Sequence, residues 1–220
     1  MKKINKVHLE GGVAACTTKD AGASTLASVV LYTLFPVDGP GRPPSVRFGK
    51  MYHRVMVSAR KGHDDGIRAL GELFSNGMPK TPVCRSVDGT LVSGPDGESI
   101  IVCRGASFKE MSALSTSGNN TVRLCGKILK TNHTDHTATF SLDSGGESPS
   151  VVFIQKKSNF TAWDMIASGM LHEGSQVDLS GPLISREYTD GKTTIHNSVV
   201  IPREISSVRI EEKVGPKISF

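Results

Sequence analysis

Two short stretches place an aromatic ring and a guanidinium two residues apart: Tyr52-His53-Arg54 and Arg186-Glu187-Tyr188. Residues two apart on an extended chain share a face, so each stretch presents a flat π surface beside a fixed cation. That pairing is the chemistry by which single-stranded nucleic acid is held. Rings stack on bases, at about 1–3 kcal/mol per base, while cations follow the phosphates. Phe48, Phe153, Phe160 and Trp163 supply further rings, and Arg60, Lys61, Arg123, Lys127 and Lys156 further charge, at or beside strand-like positions. A structural alternative stands beside several of these. Trp163 opens a helical stretch and equally suits a plug at the bottom of a barrel. Phe140 fits a core, and Lys156 and Lys157 fit a solvated strand edge.

Other chemistries find less support. His133 and His136 stand three apart with Cys125 upstream, but a structural zinc site wants four ligands in closed geometry and no second pair exists. That stretch reads as a polar hairpin loop. Phosphate-loop, dinucleotide, nucleophile-elbow and zincin signatures are absent, and Asp64-Asp65 suits a helix N-terminus rather than a metal pair. Cys16, Cys84, Cys103 and Cys125 are scattered singly, as reduced, packed thiols are. The expectation is a non-enzymatic protein with no catalytic residue, metal or cofactor.

The chain that must position these groups has 220 residues and a net charge of +5, with 23 Gly and 11 Pro marking many turns. Two domains of roughly 100 residues fit that length, and the mild positive charge suits a surface that meets a polyanion. No apolar run is long enough for a membrane span, and the N-terminal stretch lacks the apolar segment of a signal peptide. A cytoplasmic location is expected, in the nucleoid or, for a viral protein, in host cytoplasm.

The strongest organising signal is a repeat. "NKVHLEGGV" begins at Asn5 and "NTVRLCGKI" at Asn120, both reading Asn-x-Val-x-Leu-x-Gly. Period-two alternation after Asn120 predicts a strand, "TATFSLDS" a second and "VVFIQ" a third. "NFTAWDMIASGMLHEG" then predicts a short helix stopped at Gly174. "SQVDLSGPLISREY" makes a fourth strand, "TDGK" a hairpin turn, and "TTIHNSVVIPREISSVRI" one or two more. The first half runs in the same order, with strands at "NKVHLEGGVAAC", "STLASVVLYTLF" and "YHRVMVSAR", a helix at "DDGIRALGELFSNG", and strands at "VCRSVDGTLVS" and "ESIIVCRGASF". Three strands, a helix and two strands are the plan of an OB-fold, a five-stranded Greek-key barrel. The expected fold is therefore all-β with one short helix per domain, as tandem OB-folds. Domain 1 covers 1–112, with a basic Pro/Gly-rich insertion at about 36–50 expected as an exposed loop. A Ser/Gly/Asn-rich linker follows at 113–119, then domain 2 at 120–212 and a flexible tail at 213–220.

On these residues the sequence resembles the bacterial-type single-stranded-DNA-binding (SSB) family. The resemblance rests on the repeated opening motif, the helix with Trp163, and Gly174, Ser175, Val177, Gly181, Leu183, Arg186, Tyr188, Asp190 and Gly191. "YHRVMV" at 52–57 is similar to the strand that the family places on its DNA-binding face, with Tyr52 where a tryptophan is usual. The resemblance implies sequence-independent binding of single-stranded DNA, or of RNA, in replication, recombination or repair. It also implies homo-oligomers, with a dimer as the default, pairing through first strands. Ile218 and Phe220 fall where family tails recruit replication or recombination proteins, although Lys213 and Lys217 intrude on the acidic segment expected there. Two other roles fit the same fold: a replication-restart or RNA-binding accessory with one nucleic-acid-binding and one protein-binding domain, and an assembly protein that binds no nucleic acid.

Overall fold

The computed structural model describes residues 2–37, 47–93, 99–114, 120–146, 148–190, 193–200, 202 and 204–209; the side chains of 36, 37, 47, 93 and, Pro202 apart, those beyond 184 lie outside that description. The first half forms β1 (Ile4–Ala21), β2 (Ser24–Val37), β3 (Arg47–Arg60), α1 (Asp65–Ser75), β4 (Cys84–Ser93), β5 (Ser99–Arg104) and β6 (Phe108–Met111). The second forms β7 (Asn120–His133), β8 (Thr137–Asp143), β9 (Ser150–Gln155), α2 (Phe160–Ala167), β10 (Gln176–Gly181), β11 (Leu183–Asp190), β12 (Thr193–Val200) and β13 (Glu204–Arg209).

Each half closes a ring. In the first, β1, β2 and β3 pair antiparallel, β5 joins β3 in parallel, and β4 lies between β5 and β1. The second repeats this with β7, β8 and β9, with β12 parallel to β9 and β11 on β12. Its fourth strand is broken at Pro182, so that β10 returns to β7 while β11 runs on with β12. Proline lacks the N–H that a central strand would need there. Two OB barrels in tandem follow, as the order of elements predicts.

Alternation fills both cores. Val7, Leu9, Val29, Leu31, Val55, Val57, Val87 and Ile101 are buried in the first, and Val122, Leu124, Phe140, Leu142, Val152, Ile154 and Leu179 in the second. Each such side chain contributes about 1.5–3 kcal/mol on leaving water. Ile67 and Leu70 of α1, and Ala162 and Ile166 of α2, add their buried faces to the same apolar cluster. Gly11 and Gly126 hold equivalent places. A Cβ on Gly11 would stand 2.4 Å from the Tyr32 carbonyl oxygen, and one on Gly126 2.0 Å from that of Asp143. Only glycine allows the second strand to cross the first so closely. A bulge follows each, between Val13 and Ala15 and between Ile128 and Lys130.

Four expectations change. The two ends of the stretch 36–50 are strand rather than loop, because β2 and β3 pair out to Val37 and Arg47; Arg42 and the rest of 38–46 lie outside the described residues. The strand predicted at 98–108 breaks in a 3-10 turn at Gly105–Ser107, and β6 then runs back along β4, as β13 does along β10. The second helix stops at Ala167 rather than Gly174. Gly169, at φ 76°, takes the left-handed stop, while Gly174 donates its N–H to Ile128 before β10. Finally, the first strands pair within one chain: β1 lies antiparallel to β7, joining both barrels in a single sheet.

Candidate nucleic-acid interface

The β2–β3 hairpin positions the main cluster. Its strands have 14 residues each against 7 and 6 for β8 and β9, so its outer half projects beyond the length that the second barrel uses. From Thr25 to Thr33 and from His53 to Ala59 the odd-numbered residues turn to the core, as strand pleating requires, whereas farther out Phe35 is 37% exposed. On the outer face Tyr32 lies opposite Tyr52, Val30 opposite Arg54 and Leu34 opposite Lys50, and Phe48 pairs in register with Pro36. The Tyr32 and Tyr52 rings are 6.3 Å apart at 59°, and Lys50 Nζ sits 4.5 Å from the Tyr32 centroid. Tyr32 is 9% exposed and rests on Gly12, where a Cβ would meet its ring, whereas Tyr52 is 42% exposed. Tyr32 is thus a fixed support and Tyr52 the presented ring, with the Lys50 and Arg54 cations beside it.

Beneath this face His53 is 2% exposed, its Nε2 3.0 Å from Thr33 Oγ1. Burial pushes its imidazole down to about 4, so at neutral pH it is uncharged. His53 therefore adds no positive charge beneath the Lys50 and Arg54 face.

The second barrel presents different chemistry at matching register. Where β1 carries Gly12 and Ala15, β7 carries Lys127 and Lys130; where β2 places Tyr32 opposite Gly12, β8 places Asp143 opposite Lys127. Asp143 is held by Lys3 Nζ at 2.7 and 2.9 Å, and that ammonium draws its carboxyl below the usual range. Phe153, partly exposed, lies across from Thr139. One barrel face is rich in rings and the other in lysines.

A second aromatic cluster sits at α2. Trp163 packs against the core and donates its indole N–H to the Thr134 carbonyl at 3.0 Å, which agrees with a barrel plug. Phe160 is 58% exposed, 6.0 Å from Trp163, and Lys156 Nζ lies 3.8 Å over the Trp163 ring. Such a cation–π contact contributes about 0.5–2 kcal/mol, and here it engages the lysine locally.

Other predicted residues stand apart. Arg60 ends β3, about 26 Å along the strand from Tyr52, and Lys61 is drawn towards Asp20 at 3.9 Å. This end is clasped by Arg68, which bonds both Asp20 and Asp64, while Asp64 also accepts from Thr25 and Gly62. These bonds pull the Asp64 carboxyl down to about 2. Arg123 makes a two-pronged ion pair with Asp178, at 3.2 and 2.8 Å, at the seam between the barrels. Arg186 and Tyr188 fall on β11, opposite Asn197 and Ile195, with side chains outside the described residues, as are Ile218 and Phe220 entirely. Sequence reasoning missed Tyr32 as part of the cluster and placed Lys50 in a loop. The available signal was the even parity of Val30, Tyr32 and Leu34 together with a hairpin register.

No family model and no curated protein matches this sequence. Solved structures do match. The chain is similar to a deletion variant of the single-stranded DNA binding protein from Thermus aquaticus, at TM-score 0.62 and 16% identity over 98% of both chains. The wild-type protein from the same organism matches at TM-score 0.58 and 15% identity, again over 98% of both chains. At these identities the likeness establishes an architecture alone, and it does so across the whole length: this chain shares the fold of the Thermus aquaticus protein.

Proposed function

We propose that this chain binds single-stranded DNA with little sequence preference, protecting or organising it in replication, recombination or repair. The observation that carries the reading is the outer face of β2–β3, where Tyr52 stands on Tyr32 between Lys50 and Arg54. Every base has a π face, so a ring flanked by cations binds strands without reading them. The shared architecture with the Thermus aquaticus protein supports the same reading.

The unequal barrel faces favour a division of labour, with the first barrel stacking bases and the second contributing charge from Lys127 and Lys130. A dimer bringing four barrels together is the proposed assembly. Because β1 and β7 already pair with each other, a second copy would dock elsewhere on the molecule.

The test is a titration of labelled oligo-dT across a salt series, with oligo-rU alongside to set DNA against RNA. Salt-sensitive binding is expected. No binding at low ionic strength would overturn the reading, and a discrete oligomer under those conditions would point to a structural assembly protein instead.

A further inference from the structure

Beside the arm lies a cleft of about 210 Å3 between Tyr32 and Lys50 on one side and the segment from Phe74 to Val83 on the other. It is smaller than the roughly 300–1,000 Å3 of pockets for drug-sized ligands and has the scale of one flat heterocycle. Val13, Phe74, Met78, Pro79 and Pro82 give it apolar surface, and Lys50, Lys80 and Thr81 add an almost equal polar share. None of its lining residues is acidic. The larger groove of about 890 Å3 at the barrel seam differs, since it includes Asp88, which engages His8 at 2.7 Å, and its Arg123 is held by Asp178.

The wall is anchored at its far end. Val13 donates its N–H to the Val83 carbonyl at 2.8 Å, tying the segment to β1 next to Gly12, on which Tyr32 rests. Met78, by contrast, is 72% exposed. An unbranched thioether on a loop can fold over an aromatic ligand and gain from that contact. Tyr32 and Lys50 both line the cleft, and Tyr32 also meets the Tyr52 ring, so a strand stacked on Tyr52 has the cleft, with Lys50 and Lys80, next to it.

We propose that this cleft is a nucleotide subsite: one base of the strand inserts between Met78 and the Tyr32–Lys50 wall, and Lys80 takes the adjoining phosphate. The inference rests on the proposed single-stranded DNA binding and extends its path from the β2–β3 face to the α1–β4 connection. An unpaired base inserts without opening a duplex, so the subsite selects single strands over double-stranded DNA.

The test uses the full chain with oligo-dT carrying 5-iodouracil. Photocrosslinks are expected within residues 74–83 as well as at Tyr52. Lys80→Ala, at an exposed loop position, is expected to weaken binding about 3- to 10-fold at moderate salt and to make the slope of log K against log salt shallower by about one. Met78→Ala is expected to weaken binding with the slope unchanged, and Lys109→Ala on β6 serves as the control. If the unaltered chain binds and Tyr52→Ala weakens it, while Lys80→Ala and Met78→Ala match the unaltered chain and no crosslink falls within 74–83, the subsite is overturned and the binding function stands. If the unaltered chain does not bind oligo-dT, both fall together.

Discussion

Val7 of β1 stands directly opposite Val122 of β7, and each is the third residue of the repeated Asn-x-Val-x-Leu-x-Gly motif. On either side Asn5 faces Leu124 and Leu9 faces Asn120, so the pairing is self-complementary about the two valines. This is the isologous geometry of a two-fold dimer, written into a single chain. Each first strand closes its own barrel along one edge and holds the other barrel along the opposite edge.

The asparagines of the motif extend the ladders. Asn5 donates to the Leu91 carbonyl at 2.8 Å and accepts from its N–H at 2.9 Å; Asn120 does the same with Leu183 at 2.7 and 2.9 Å. Each carboxamide stands in for a main-chain partner where the first and fourth strands part. Asn5→Ala or Asn120→Ala would strand a backbone donor and acceptor, at a cost of about 1–3 kcal/mol. Denaturant titration of each variant checks this, and equal stability would refute the role.

The close crossing at Gly126 gives a sharper stability test. Gly126→Ala would press a methyl against the Asp143 carbonyl, and overpacking of this kind costs about 1–3 kcal/mol. The melting temperature is expected to fall, while Gly22→Ala, where no atom lies within 4 Å but φ is +59°, is expected to cost less.

His53 makes stability depend on pH. Its folded value of about 4 lies below the unfolded 6.5, so between those values the unfolded chain binds the extra proton. Stability is full above about pH 6.5 and falls as pH drops to about 4, by about 3 kcal/mol in all. His53→Gln is expected to flatten that part of the curve. Asp64 acts lower. Its depressed value means that its contribution is complete above about pH 4 and is lost as pH falls towards 2. Unfolding followed from pH 7 to 2 separates the two, because Asp64→Asn alters only the acid end.

The difference between barrel faces is testable through binding. Tyr52→Ala is expected to lose about 1–3 kcal/mol of affinity for oligo-dT, with Tyr52→Phe retaining most of it. Lys127→Ala with Lys130→Ala is expected to reduce the salt slope by about two and to leave base stacking intact. Tryptophan-independent fluorescence anisotropy, with the label on the DNA, measures both. Equal effects on slope and affinity from the two sets would refute unequal faces.

Local periodicity determined much of this protein. A strand alternates its faces whatever surrounds it, so buried Val7 and Leu9, buried Phe140, and the shared face of Tyr52 and Arg54 were legible in the sequence, as was the duplication that makes two barrels. Relationships across strands were not. Tyr32 meets Tyr52 and Lys50 only through the hairpin register, and the arm is long because β2 and β3 pair out to Val37 and Arg47, into both ends of a stretch that reads locally as a loop. Gly169 rather than Gly174 stops α2, because the chain must turn there to bury Leu171. Arg123, which reads as a free cation, is matched to Asp178 by the pairing of β7 with β10. The asparagine of the repeat looks like an ordinary polar residue until Leu91 or Leu183 is brought beside it. Tertiary structure decided these points because each depends on which strand lies alongside, and that choice is made by closing the barrel.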